Sequence, residues 1–173
     1  PTAIIDTLYD RENKTIYVFN EFYKSGCQLS ELASAIKDMQ LGKSKIFVDA
    51  AEPRSIQFFK QEGINATPCA KGKDSVKAGL MFLQDNLLIV HPKCTNTIKE
   101  LSSYRYEVDK FDNGINKPID YDNHLMDAMR YAFYDVTFFH PVDPKERQRP
   151  TADQYYNKYH GIYADDLGGG WGL

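Results

Sequence analysis

The sequence predicts an α/β fold in which a mixed central sheet is flanked by helices and followed by an irregular C-terminal extension. Three observations carry that prediction. Two strand-like runs, residues 3–9 and 15–23, are joined by a short polar segment and make an antiparallel hairpin. After them, short apolar runs of strand length alternate with stretches of helical periodicity. Beyond about residue 136 the pattern breaks, with Pro141, Pro144 and Pro150 set among mixed charges. The expected division is a core over residues 1–135 and an extension over 136–173 that packs on the core only in part.

Each element has its own signal. Asp10-Arg11-Glu12-Asn13-Lys14 is turn-like, and the run that follows is rich in β-branched and aromatic residues. Glu21, near the end of that second strand, could line a site but reads more readily as an edge-strand acid facing solvent. Ser30 is the expected cap of a helix over 31–40, with Leu32, Ile36 and Met39 at helical spacing and Gly42 as its stop. Residues 45–49 form a short apolar run closed by Asp49, the profile of a buried central strand with an acid at its carboxyl end. Pro53 suits the first turn of a helix over 53–62, whose buried side carries Ile56, Phe58 and Phe59 and which Gly63 ends. A short strand over 65–70 leads to the basic turn Lys71-Gly72-Lys73-Asp74-Ser75. Asp74 or Ser75 caps a helix to Gln84, with Val76, Leu80 and Leu83 inward. A strand over 87–91 precedes a helix from Thr95 or Asn96 to Ser102. A hairpin turns at Asp112-Asn113-Gly114. Asp122 or Asn123 then caps a helix whose apolar face is Leu125, Met129, Ala132 and Phe133.

Composition limits the function classes. Hydrophobic residues at 42% and charged residues at 26% of 173 specify a globular chain. A net charge of −3 gives no global attraction to nucleic acid, so phosphate contact needs a local basic patch. Residues 43–77 supply one, with seven basic residues against four acidic. No apolar run reaches the roughly 18 residues of a membrane span, and no signal-peptide pattern opens the chain. Cys27, Cys69 and Cys94 are odd in number and outside any metal-ligand spacing, which suits reduced thiols in a cytoplasmic protein and argues against zinc. The chain begins at Pro1 rather than Met, so further residues are expected ahead of it.

Chemistry concentrates at His124 and Asp127. They lie roughly 60° apart on one edge of the last core helix, beside its apolar stripe. An imidazole and a carboxylate so placed can meet at one metal ion or one scissile bond. The plain alternative is that Asp127 favours the first helical turn and His124 packs, because the H-x-x-D spacing is unspecific.

The element order is typical of a ribonuclease H-like sheet, a fold that gathers acids from two adjacent strands and a late helix at a divalent metal pair. Several segments resemble the C-terminal nuclease domain of the large terminase subunit of tailed bacteriophages. They are Pro1-Thr2-Ala3-Ile4-Ile5, Asn20-Glu21-Phe22-Tyr23, Phe47-Val48-Asp49-Ala50-Ala51-Glu52-Pro53, the stretch from Lys71 to Gly79, His91-Pro92-Lys93-Cys94, Tyr104-Arg105-Tyr106, and Asn123-His124-Leu125-Met126-Asp127-Ala128-Met129-Arg130-Tyr131. The resemblance covers most of residues 1–134. It implies a metal-dependent endonuclease that cuts concatemeric viral DNA during packaging, with Mg²⁺ or Mn²⁺ in a two-metal site.

The resemblance also implies the site and its setting. Asp49 and Asp127 become metal-binding carboxylates. His124 becomes a metal ligand, a proton donor to the leaving group, or the group that orients Asp127. Glu52 reads as a cap that could reach a metal through water. Lys71, Lys73 and Ser75 form a candidate phosphate contact at a helix start. The family's first acid sits on a strand ahead of the segment matched by Pro1-Thr2-Ala3. Neither Asp6, mid-strand, nor Asp10, in a turn, replaces it. The family's ATPase domain is absent, and no phosphate-binding loop motif occurs. The implied partners are double-stranded DNA, the ATPase domain of the full-length chain, the small terminase subunit and the portal or procapsid, with no membrane. The implied location is the host cytoplasm. A junction-resolvase-like nuclease and a non-catalytic portal- or capsid-docking module are the competing readings.

Overall fold

The structure is a computed structural model that describes residues 1–69, 72, 74–111 and 113–138. Strands β1 (Thr2–Asp10) and β2 (Thr15–Lys24) form the expected hairpin. Asp10 closes its turn by accepting the amides of Glu12 and Asn13 and the side-chain amide of Asn13. Next come α1 (Leu29–Asp38), β3 (Ile46–Asp49), α2 (Pro53–Gln61) and β4 (Ala66–Cys69). They are followed by α3 (Ser75–Gln84), β5 (Leu87–Val90), α4 (Thr95–Ser103) and the hairpin β6 (Tyr106–Val108) and β7 (Gly114–Pro118). Last are α5 (His124–Ala132) and α6 (Tyr134–Phe138).

Among the described residues the main strands fall into two hydrogen-bonded groups. β2 lies between β1, antiparallel, and β5, parallel, while β3 and β4 pair in parallel. Helices cover the sheet on two sides. Leu32, Ile36 and Met39 of α1 and Ile56 and Phe59 of α2 bury against Ile4, Phe22 and Val48. Leu80 and Leu83 of α3 and Met126, Met129 and Phe133 of α5 bury against Ile5, Ile16 and Val18. Strand residues alternate between the two cores, as the period of two requires, so Ile4 and Ile5 serve opposite sides. Tyr9, Phe82 and Phe133 close the second core with ring centroids 5.2 to 6.0 Å apart. α5 packs across both β1 and β3 and so joins the two strand groups.

Several sequence expectations need correction. Ser30 does not cap α1. The helix starts one residue earlier, at Leu29, so that Leu29 packs against the core, and Ser30 instead accepts the Ser34 hydroxyl with its carbonyl oxygen. α1 ends before Gly42: Gln40 takes the left-handed conformation (φ 57°) that a glycine would adopt without strain. Gly63 does so after α2, as expected (φ 76°). β3 is half-buried rather than fully buried, because β4 covers one of its edges only. Val76 is 40% exposed, since the first turn of α3 projects past the core that Leu80 and Leu83 fill. α6 spans the expected boundary at 136 and packs on α3 and α5. The aromatic and glycine-rich stretch from 139 lies outside the described residues.

Candidate metal centre

α5 starts where Asn123 ends its extended approach, and the Asn123 carbonyl accepts the Asp127 amide as the first helical bond. Neither Asp122 nor Asn123 caps the helix with its side chain. That task falls to Glu100 of α4, which is 4% exposed and accepts the amides of Leu125 (2.8 Å) and Met126 (3.1 Å). Those two donors have no partner within the helix, and both residues are buried, so the carboxylate meets a demand that water cannot. Burial pushes the Glu100 carboxyl up from its ordinary value, against the opposing pull of these amides and of His124.

Glu100 is itself positioned by a second carboxylate. Glu21, expected to face solvent from an edge strand, belongs to the central strand β2 and meets the start of α4. It accepts the amides of Asn96 and Thr97 (both 2.8 Å), the Asn96 side-chain amide (2.9 Å) and the Thr97 hydroxyl (2.6 Å). Burial raises its pKa, but the four donors together outweigh that and bring it below the ordinary value. A group held below its unfolded value contributes stability that is present above about pH 4.5 and lost as pH falls through the lower, folded value. Glu21→Gln is therefore expected to lower the neutral-pH Tm and to flatten its decline on the acid side. Thermal melts from pH 7 downward check this, and parallel acid profiles for the two proteins would refute it.

The site residues lie along β3 and α5. Lys45 pairs with Asp135, and the Phe47 ring meets Tyr134 at 6.4 Å, so β3 ascends as the chain of α6 and α5 is followed backwards. Asp49 closes β3, which packs on α5. Asp49 closes the β3–α2 turn by accepting the Ala51 amide at 3.0 Å. Glu52 occupies the N-cap position of α2 without a side-chain cap bond. Asp127, one-third exposed, is ion-paired with Arg130, whose side chain is only 6% exposed. His124 stands at the first turn with its ring edge-on to Tyr23, centroids 6.0 Å apart. Burial, then the negative charges of Glu100 and Asp122, push the Tyr23 hydroxyl up.

The donor chemistry suits a hard divalent cation. Asp49 and Asp127 offer carboxylate oxygens from a strand end and a helix, and Asp127 already engages a cation, the Arg130 guanidinium. Among the described residues no three acidic, histidine or cysteine side chains cluster as a closed ligand set. The fit is that of an open, incomplete site. Lys71 and Lys73 lie outside the described residues. Ser75 is the first residue of α3, next to Asp74 in the left-handed region (φ 65°), which makes no side-chain cap bond to that helix.

Sequence reasoning misplaced Glu21 and missed Glu100 and Arg130. For the last two a signal existed. Glu100 shares a helical stripe with Thr97, Leu101 and Tyr104, and Arg130 shares one with Met126, Met129 and Phe133. A charge on an otherwise buried stripe must be paired, which marks it for attention.

The chain is similar to known proteins over this whole region. Residues 1–135 match the family model of the terminase RNase H-like domain. The large terminase subunit of Bacillus phage SPP1 is 34% identical over 137 residues, covering 77% of this chain and 32% of that protein. The chain thus spans about a third of the length of this curated relative. The crystal structure of the SPP1 large terminase nuclease domain with bound Mn matches with a TM-score of 0.71 and 32% identity, covering 76% of each chain. The P22 large terminase nuclease domain matches in fold, with a TM-score of 0.56 at 17% identity over 79% of this chain and 75% of that one.

Proposed function

Because the chain belongs to the terminase RNase H-like domain family, we propose that it is the nuclease domain of a large terminase subunit, cutting concatemeric viral DNA during packaging with the help of divalent metal. The observation that carries this reading is the convergence of β3, ending in Asp49, and α5, bearing His124 and Asp127, in a chain whose relative from SPP1 was solved with bound Mn. Asp49 and Asp127 hold the metal ions. Two such ions, when bound, supply activation of the attacking water and stabilisation of the leaving 3′ oxygen.

The remaining steps belong to the chain's own side chains. His124, oriented by the edge of Tyr23, either completes the ligand set or passes a proton to the leaving oxygen. Lys71, Lys73 and Ser75 contact the DNA backbone at the start of α3, where helix polarity favours phosphate. In the full-length protein the domain acts with an ATPase domain, the small subunit and the portal, in the host cytoplasm.

The test is cleavage of supercoiled plasmid by the full-length protein in Mn²⁺ or Mg²⁺. Asp49→Asn preserves an oxygen for the Ala51 amide and removes the charge. It is expected to lower the cleavage rate more than about 100-fold, since losing even an outer partner of a metal ligand typically costs 10- to 100-fold. Undiminished cutting by this variant would remove Asp49 from the site.

A further inference from the structure

Arg130 is the charged group of this region that the nuclease reading leaves without a task. It is 7% exposed on a helix stripe otherwise filled by Met126, Met129 and Phe133. Its guanidinium pairs with Asp127 Oδ1 and lies 5.6 Å from the centre of the Tyr131 ring. Its Nε is buried and has no hydrogen-bond partner among the described residues. Arginine does not give up its proton, so this charge persists at every working pH. The stem is seated by Gly79 of α3. A Cβ at that position would come within 3.2 Å of Arg130 Cγ and Cδ and 3.3 Å of its Cβ. α3 and α5 thus approach closely enough that a side chain at position 79 would press the Arg130 stem aside by a few tenths of an ångström.

We infer that Arg130 is an internal competitor for the Asp127 carboxylate, which lowers the affinity of the site for divalent cations. The inference rests on the reading that Asp127 is a metal ligand. Its sign follows from charge. A fixed positive group on one carboxylate oxygen repels a divalent ion approaching the other, and the two are separated by no more than the carboxylate itself. Low exposure of the guanidinium limits screening by water and salt. A residue that merely shaped the site would act in the opposite direction, because loosening a ligand weakens metal binding. The direction of the change therefore separates the two roles.

The measurement is Mn²⁺ binding to the full-length protein, read by the loss of the free-ion paramagnetic resonance signal at 0.15 M salt without DNA. Arg130→Gln is expected to bind Mn²⁺ about tenfold more tightly than the unaltered protein. Equal or weaker binding overturns the inference. If Arg130→Gln does not fold, Gly79→Ala decides. It crowds the Arg130 stem by a few tenths of an ångström while replacing glycine with a better helix former, and a thermal melt of the variant checks that it folds. The expected gain is about threefold, a partial weakening of the same charge repulsion, and an unchanged or lower affinity again overturns the inference. Asp127→Asn tests the underlying reading separately. Its Mn²⁺ affinity should fall, and if it does not, Asp127 is no ligand and the failure lies with that reading rather than with Arg130.

Discussion

Asp127→Ala is expected to abolish metal-dependent cutting and also to destabilise the domain, whereas Asp127→Asn should do only the first. Losing a metal-holding carboxylate should cost more than about 100-fold in rate in either variant. The two differ in what happens to Arg130, whose side chain is 6% exposed and pairs with Asp127. Removing one partner of a buried pair leaves an uncompensated charge, at a cost of about 3–5 kcal/mol. Asp127 is one-third exposed, so water reaches part of the site and the lower end applies. Asparagine keeps a carbonyl oxygen for the guanidinium and avoids most of that cost. In a domain of this size about 3 kcal/mol corresponds to roughly 10 °C in Tm. Plasmid cleavage and thermal melts on the same preparations check both halves. Equal melting temperatures for the two variants would show that the pair does not matter to stability.

Glu100→Ala is the substitution expected to disturb the fold most. The alanine leaves the Leu125 and Met126 amides buried and unmet, at about 1–3 kcal/mol each, and opens a void between α4 and α5. A loss of about 4 kcal/mol follows, large against the 5–15 kcal/mol of a typical domain. Glu100→Gln keeps an oxygen facing both donors and removes a charge that burial disfavours. It is expected to melt within a few degrees of the unaltered protein. A glutamine variant as unstable as the alanine one would mean that the charge, not the acceptor, holds α5.

The pattern of hits and misses in the sequence has a physical cause. β1, β2, α2 and the apolar face of α5 were legible because period and turn chemistry are local: Asp10 closes its own hairpin and Gly63 its own helix. Asp49, His124 and Asp127 stood out from a strand end and a helical spacing, but their reading as metal-site residues came from the family resemblance, since spacing alone left it ambiguous. The starts of α3, α4 and α5 were read correctly, but the side chains that cap α4 and α5 come from elsewhere. Ser30, Asp74, Asn96 and Asn123 all carry suitable side chains, yet α4 and α5 are capped by Glu21 and Glu100, 75 and 25 residues away along the chain. No local window contains such a pair. Arg130 escaped for a similar reason, because the helix spacing that places it inward does not say that Asp127 and Gly79 await it.

The arrangement of the two cores bears on how the domain comes apart. α1, α2, β3 and β4 share one buried cluster, while α3, α5 and much of β2 share another. The hairpin of β1 and β2 contributes to both, and α5 lies across β1 and β3. The two clusters are linked through this hairpin and α5, and they are expected to open as separate units. Amides of β3 and β4 are expected to open to hydrogen exchange as a group, ahead of those in β2.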